Sequence, residues 1–142
     1  MSIKIKAHEN MKAALYIRVA SEDDIAVKWQ EKMLRGFAEE QGFSDAEAYV
    51  DNGVSGIGLD RPAMNRLQDD IEAGLVSTVI VKDISRISRS FIEVTDWRKR
   101  IKLKGVELLS AQDDLFNDTS DAIDKITSLY FRCLERHCER VH

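Results

Sequence analysis

The chain contains few of the residues that cross-link a fold or hold it in a membrane. Its two cysteines in 142 residues are too few for the disulfide framework of a small secreted protein. No apolar run approaches the length of a membrane span, and the first residues lack the pattern of a signal peptide. No repeat or low-complexity tract is present. We therefore expect a globular protein of the reducing cytoplasm that has no membrane segment.

The chain's charge is modest and unevenly distributed. With 25 acidic and 21 basic residues, the net charge is −4, which argues weakly against binding nucleic acid by bulk electrostatics. Residues 82–104 nevertheless hold eight basic residues against three acidic ones. A chain of this length with 44% hydrophobic residues forms one domain with a full core. We expect that domain to carry a local basic patch.

Short apolar runs alternate with helical patterns along the chain. The runs predict strands over 13–19, 46–50, 78–82 and 106–110. The spacing of apolar residues predicts helices over 24–41, from Pro62 to about Gly74, and over 90–104. Trp29 and Trp97 fall at core-facing positions of two of these helices, which favours packing over base stacking. The order predicts an α/β fold: a mostly parallel sheet of four to five strands with helices on both faces.

The two ends of the chain depart from this alternation. Residues 1–10 are polar and unpatterned, which predicts a flexible arm before the α/β domain of residues 11–118. Residues 119–142 predict one long helix, whose apolar stripe consists of Ala122, Ile123, Ile126, Leu129, Tyr130, Cys133 and Leu134. The stripe fits either a dimer interface or a helix folded back on its own domain. Cys133 and His137 lie on a different face from Cys138 and His142, so a shared zinc site is not expected.

Two short loops carry most of the chemistry in the sequence. The segment from Arg18 to Ser21 directly follows the first strand, and the segment from Ser85 to Arg89 directly follows the third. In open α/β sheets, ligands bind at the carboxyl ends of the strands. A serine hydroxyl among guanidinium groups suits attack on a phosphodiester, because arginine binds phosphate oxygens through two N–H groups and stabilises developing charge.

Three ordered motifs make residues 11 to about 141 resemble the catalytic domain of serine site-specific recombinases, the resolvase/invertase family. They are Tyr16-Ile17-Arg18-Val19, then residues 51–56 with Asp60-Arg61-Pro62, then the segment from Lys82 to Ser90. The Lys-Asp-Ile-Ser-Arg form is most like the large serine recombinases of mobile elements. The resemblance implies a serine nucleophile that attacks a DNA phosphate, forms a 5′-phosphoserine link without metal or other cofactor, and allows strand exchange.

The resemblance also implies partners and site residues. The expected partners are double-stranded DNA at a recombination site, a second copy of the chain through helix 119–142, and a tetramer in the synaptic complex. Such a protein acts at the nucleoid, and its DNA-binding region is expected beyond residue 142. Arg18, Arg86 and Arg89 match the family's phosphate-binding arginines. Arg61 and Ser55 match an arginine at the far end of a mobile loop and a loop serine that contacts the phosphate or orients the nucleophile.

One loop departs from the family pattern. The family reads Arg-x-Ser, but Ala20 stands at that place and the serine follows as Ser21. Either the loop is shifted by one residue and Ser21 is the nucleophile, or the chain is a catalytically inactive relative that assists assembly or DNA positioning. A serine before acidic residues is also typical of a helix N-cap. Ser85 stands where small resolvases have aspartate, which leaves the proton donor unassigned, with Arg86 a candidate participant.

A flavodoxin-like domain that binds a small molecule or signals is the alternative from another class. The glycines around Ser55 lack the Gly-Lys-Ser/Thr ending of a P-loop. The sequence also shows neither a flavin phosphate loop nor an acidic receiver pocket at the strand ends. It therefore favours a serine recombinase that carries out site-specific DNA recombination.

Overall fold

The computed structural model describes residues 11–113. The predicted arm over residues 1–10, the predicted helix over 119–142 and its Cys/His pairs lie outside these residues. Within the described residues, no helix combines the length and the apolarity needed to cross a lipid bilayer.

The described residues form four strands and three helices in alternation. The strands are β1 (Lys12–Val19), β2 (Ala46–Asn52), β3 (Val76–Val81) and β4 (Glu107–Ser110). The helices are α1 (Asp24–Glu40), α2 (Pro62–Glu72) and α3 (Phe91–Lys102), and a 3₁₀ turn (Ile84–Arg86) precedes α3. The predicted elements are confirmed within a few residues. β2 continues two residues further than predicted, so Asp51 lies in the sheet and the glycine-rich loop begins at Gly53.

All strands of the sheet run parallel in the order β2-β1-β3-β4. This confirms the predicted α/β fold, with four strands in the described part of the chain. β1 leads into α1 on one face of the sheet, while the helices on the other face are α2 and α3. The neighbouring strands β1 and β3 therefore diverge at their carboxyl ends into loops on either side of a crevice, which is where open α/β sheets bind ligands.

The two faces of the sheet are covered to different extents. On one face, α2 and α3 bury a large cluster that includes Met64, Leu67 and Trp97. On the other face, α1 alone contributes buried side chains, with Leu34 and Ala38 packed against the strands. Leu109 and Ala111 at the β4 side of this second face are only partly buried. The α1 face therefore keeps an apolar surface that the described residues leave partly open.

The predicted core position of Trp29 is wrong. Trp97 is buried as predicted, but Trp29 is 68% exposed. The buried stripe of α1 is Gln30, Leu34 and Ala38. Each of them follows directly after one of the large apolar residues Trp29, Met33 and Phe37. The helix is turned this way because the Gln30 amide binds the main chain of β1, as described below. A polar contact thus decides which face of α1 meets the sheet.

Candidate active site at the carboxyl edge of the sheet

The site begins where β1 and β3 separate. Tyr16 and Val81 form the last pair of these two strands, so the main chain of Arg18 has no partner strand on that side. Gln30 of α1 takes that place: its Oε1 accepts from the Arg18 N–H at 3.3 Å, and its Nε2 donates to the Arg18 carbonyl at 3.5 Å. The amide acts as a short substitute for a strand and holds α1 against the end of β1.

Arg18 is buried beneath the site and connects three loop carbonyls. Its Nε donates to the Arg86 carbonyl at 3.0 Å, and its two Nη atoms donate to the carbonyls of Val54 at 3.2 Å and Ser85 at 2.7 Å. Burial lowers the pKa of the Arg18 guanidinium, and the nearby charge of Arg61 lowers it further. In this arrangement Arg18 joins the two loops and supplies positive charge, while three of its five N–H groups bond to loop carbonyls.

Arg61 is the most fully buried charged side chain of the site, at 1% exposure. Its Nη1 donates to the Tyr16 hydroxyl and to the Arg86 carbonyl, both at 3.0 Å. Its Nη2 donates to the carbonyls of Gly58 at 2.6 Å and Ile87 at 2.5 Å. Arg61 therefore fixes the far end of the glycine-rich loop to the segment after β3.

A buried carboxylate completes this network. Asp51 accepts from the Tyr16 hydroxyl at 2.7 Å and from the main-chain N–H groups of Ala63 and Met64 at 2.9 and 3.1 Å. It thus caps the first turn of α2, whose own N-cap residue Arg61 makes no side-chain cap. Burial, and then the hydrogen bond to Asp51, raises the pKa of the Tyr16 phenol.

Arg86 and Arg89 are more accessible than the other two arginines. Arg86 is half-buried; its Nη1 donates to the Arg18 carbonyl at 3.0 Å, and its Nε lies 3.4 Å from the Asp83 carboxylate. Arg89 is exposed, and in the described part of the chain its guanidinium has no hydrogen bond or ion pair. Its main-chain N–H donates to the Gly56 carbonyl at 3.2 Å.

Gly56 packs directly on two of these arginines. A Cβ atom at Gly56 would lie 2.9 Å from an Arg18 Nη atom and 3.1 Å from the Arg89 Cγ. Only a residue without a side chain allows the loop to approach so closely. The glycine-rich loop therefore lies against the arginine cluster, and Arg18, Arg61 and the Arg89 N–H each bond to one of its carbonyls.

The predicted site serines Ser21 and Ser55, the loop serines Ser85 and Ser88, and Ala20 have different surroundings. Ala20 and Ser21 are exposed in the turn between β1 and α1. The N-cap of α1 is Asp23, which accepts from the N–H groups of Ile25 and Ala26, so the N-cap interpretation of Ser21 is wrong. Among residues 11–113, the Ser21 hydroxyl makes no hydrogen bond.

The other serines are engaged locally. Ser55 is exposed, and its hydroxyl accepts from the Ile57 N–H at 3.2 Å, as in a turn. Ser85 donates its hydroxyl proton to Asp83, and buried Ser88 accepts from the Ser90 N–H at 3.0 Å. Ser21 thus has the one hydroxyl of these four without a partner in the described part of the chain.

A cavity of about 970 Å³ opens beside Ser21. Its lining includes Ala20, Ser21, Lys82 and Arg86. It also includes residues of the half-covered α1 face, among them Trp29, Met33 and Phe37, and Ala111 and Gln112 after β4. Ser55, Arg61 and Arg89 do not line it. The cavity therefore brings together a hydroxyl, an ammonium group and a guanidinium group at the divergence of β1 and β3.

A known protein family matches most of the chain. The model of the family described as "Resolvase, N terminal domain" matches residues 13–140. The chain belongs to the resolvase family. The resolvase domain is 31% identical over 106 residues to a "Putative DNA recombinase" of Bacillus subtilis (strain 168), covering 73% of the chain and 21% of that protein. It is 33% identical over 104 residues to a "Resolvase" of Clostridium perfringens, covering 63% of the chain and 54% of that protein. The chain thus spans only part of the length of either relative.

Solved structures show the same fold as the resolvase domain. The N-terminal catalytic domain of TP901-1 integrase superposes with a TM-score of 0.74 at 28% identity, covering 92% of this chain and 99% of that one. A resolvase family site-specific recombinase from Streptococcus pneumoniae gives a TM-score of 0.72 at 25% identity, covering 92% and 91%. The predicted family and fold are confirmed.

The predicted basic patch of the resolvase domain is partly neutralised. Arg100 lies 3.4 Å from the Asp96 carboxylate, and Lys104 pairs with Glu72. Arg98 is buried. Arg86 and Arg89 of the patch lie close to Arg18 and Arg61, because the charges of Arg61, Arg86 and Arg89 all lower the pKa of Arg18. These four arginines form a cluster of positive charge.

Sequence reasoning missed two residues that shape the site. Asp51 carries a weak sequence signal, because a carboxylate directly after an apolar strand marks the ligand edge of a sheet. Gln30 carries a clearer one, since a polar side chain lies on the same helical stripe as Leu34 and Ala38. Neither signal identifies the partner, which lies far away in the chain in both cases.

Proposed function

We propose that this resolvase-family domain cleaves and rejoins DNA in site-specific recombination, with Ser21 as the nucleophile. The Ser21 oxygen attacks a phosphodiester, the bond from phosphorus to the 3′ oxygen breaks, and a 5′-phosphoserine intermediate forms. The observation that best supports this proposal is the exposed hydroxyl of Ser21, which has no partner within residues 11–113 and lines the same cavity as Arg86. A polyanion is the substrate that four clustered guanidinium groups favour.

The arginines divide into two roles under this proposal. Arg86 and Arg89 are accessible enough to bind phosphate oxygens and stabilise the charge of the transition state. Arg18 and Arg61 act as positioning residues, because their N–H groups bond to loop carbonyls. Ser55 helps to shape the loop through its hydrogen bond to Ile57.

The one-residue shift of the serine is compatible with the local structure. The turn from Ala20 to Asp23 is fixed at its far end, where Asp23 caps α1 and its N–H donates to the Asn52 side chain at 2.9 Å. Val19 at the near end accepts from the N–H groups of Gly53 and Val54. A turn held on both sides presents Ser21 in a defined position rather than on a loose segment.

Double-stranded DNA and further copies of the chain are the proposed partners. The apolar residues that line the cavity support the dimer, because Ala111 and Gln112 also line it just before residues 114–142 follow. Those residues include the apolar stripe predicted between Ala122 and Leu134. We propose that this stripe forms the subunit contact and that a tetramer assembles on DNA. Action in the cytoplasm, at the nucleoid, is part of the same proposal.

Ala20 favours a second candidate, a catalytically inactive module that assembles with recombinases or positions DNA. Covalent capture separates the two. The complete protein is incubated with nicked duplexes of randomised core sequence, and adducts that resist detergent are recovered. The enzyme proposal expects an adduct with wild-type protein, none with Ser21→Ala, and an undiminished yield with Ser44→Ala, an exposed serine remote from the site. Absence of an adduct from wild-type protein supports the inactive module.

A further inference from the structure

We infer that Lys82 is the general acid that protonates the 3′ oxygen leaving the scissile phosphate. The inference rests on the proposed function, since it assigns a step of that reaction. The need for such a group is chemical: an alkoxide is a poor leaving group, and a positioned acid with a transferable proton lowers the barrier to its departure.

The position of Lys82 meets the first requirement of a general acid. It directly follows β3, next to the strand that leads into Ser21. Lys82 lines the same cavity as Ser21 and Arg86. Its carbonyl is held by the Gln112 N–H at 3.0 Å and by the Ser110 hydroxyl at 3.5 Å. The backbone that carries the ammonium group is therefore fixed at the edge of the sheet.

The Lys82 ammonium group also has no partner among the described residues. The side chain is half-buried, and within residues 11–113 it makes no hydrogen bond or ion pair. The carboxylates nearby are already engaged: Asp23 caps α1, and Asp83 faces Ser85 and Arg86. Two lysines line the cavity. Lys32 lies over the Trp29 ring, with its Nζ 5.8 Å from the ring centroid, whereas the Lys82 ammonium group has no partner among the described residues.

Other cavity and loop groups are poorer proton donors. Ser85 occupies the place at which small resolvases have a carboxylic acid, and a hydroxyl is a weaker acid. Arg86 holds its proton too firmly, because a guanidinium group is not deprotonated in proteins. An ammonium group gives up a proton more readily, and its charge also attracts the phosphate.

The proton balance of the step is simple. The Ser21 oxygen forms a bond to phosphorus as its proton passes to solvent water, which reaches the exposed turn. The bond from phosphorus to the 3′ oxygen breaks, and Lys82 transfers one proton to that oxygen, leaving a neutral amine. In the rejoining step the amine takes the proton back from the 3′ hydroxyl as that oxygen attacks the phosphoserine. The bond from phosphorus to the Ser21 oxygen breaks, and that oxygen takes a proton from solvent water.

A sulfur-substituted substrate tests this assignment. The captured duplex is prepared with either oxygen or sulfur at the bridging 3′ position. A thiolate leaves without protonation because thiols are far stronger acids than alcohols, with a pKa of about 8.5 for cysteine. The complete protein and its Lys82→Ala and Lys82→Arg variants are compared by single-turnover cleavage. Lys28→Ala, which removes an exposed lysine of α1 outside the cavity, serves as the matched control.

The expected result is a selective rescue. With oxygen, Lys82→Ala and Lys82→Arg each slow cleavage by about 10²-fold or more, the usual contribution of a general acid. With sulfur, both variants cleave within a few-fold of wild type, whereas Arg86→Ala stays slow on both substrates. Lys28→Ala matches wild type throughout.

Three results overturn the inference. Lys82→Ala equally slow on both substrates indicates phosphate binding or a structural role, and full activity of Lys82→Arg on oxygen indicates that only the charge matters. Unchanged cleavage by Lys82→Ala removes Lys82 from the reaction. A wild-type protein that cleaves neither duplex refutes the proposed function itself, which separates that failure from an error about Lys82.

Discussion

Replacing Arg61 by alanine is expected to destabilise the domain rather than only slow a reaction. The guanidinium group donates to the Tyr16 hydroxyl and to the carbonyls of Gly58, Arg86 and Ile87. Its truncation leaves acceptors without donors in a region where the side chain is 1% exposed. Water can reach Gly58 and Arg86, which lie at the edge of the site, more easily than the other two acceptors.

The loss in the free energy of unfolding depends on the acceptors that water cannot reach. The buried Ile87 carbonyl loses its donor, which costs about 1–3 kcal/mol. The Tyr16 hydroxyl keeps its bond to Asp51 and loses one hydrogen bond, worth about 0.5–1.5 kcal/mol. At roughly 4 °C per kcal/mol for a domain of this size, the total of about 1.5–4.5 kcal/mol lowers Tm by about 6 °C or more. The control Arg100→Ala breaks an ion pair of which both members are more than half exposed. It should cost less than about 1 kcal/mol.

Thermal and urea unfolding of the purified chain measure both effects. A phosphate-binding role alone for Arg61 predicts a different outcome, namely a variant that unfolds like wild type and fails only in cleavage. An Arg61→Ala Tm within the shift shown by Arg100→Ala would refute the structural argument.

Four further outcomes are expected. Tyr16→Phe should lower the free energy of unfolding by about 1–3 kcal/mol. Because burial raises the pKa of Tyr16, the stability linked to its protonation is full below about pH 10 and is lost as the pH rises through the folded-state pKa. Ultraviolet titration and alkaline unfolding would show this loss. Gly56→Ala should reduce cleavage more than binding, because its Cβ meets Arg18, whereas Gly36→Ala, with open space around it, should stabilise α1 by about 0.5–1 kcal/mol. Charged substitutions at Ile126 and Leu129 should convert a dimer to a monomer in sedimentation, and a wild-type chain that is monomeric at high concentration would contradict this. The 142-residue chain alone should bind DNA weakly and without sequence preference, and nanomolar selective binding in a gel shift at physiological salt would contradict that.

The layout of the fold could be predicted from the sequence because its signals are local. Runs such as Val79-Ile80-Val81 identify buried parallel strands, and Pro62 identifies the first turn of α2. The rotation of α1 could not be predicted in this way. It depends on the bond between Gln30 and the main chain of Arg18, which forms only once β1 and β3 separate.

The candidate site was predicted in location more fully than in detail. The two loops do meet at one edge of the sheet, as strand order requires for neighbours β1 and β3. The sequence pattern does not distinguish a buried arginine from an exposed one. Arg61 and Arg89 each stand just before a helix, yet one is enclosed by four acceptors and the other is exposed. That difference arises from long-range packing of the glycine-rich loop on the segment after β3.

The most direct test of the account is the position of the covalent DNA link. Adducts captured with the complete protein are digested, and the peptide carrying the nucleotide is sequenced by mass spectrometry. We predict the label on Ser21, its loss in Ser21→Ala with site binding intact, and a label on residue 20 or 21 in the converse variant Ala20→Ser. A label on Ser55, Ser85 or Ser88, or an adduct that persists in Ser21→Ala, would contradict this prediction.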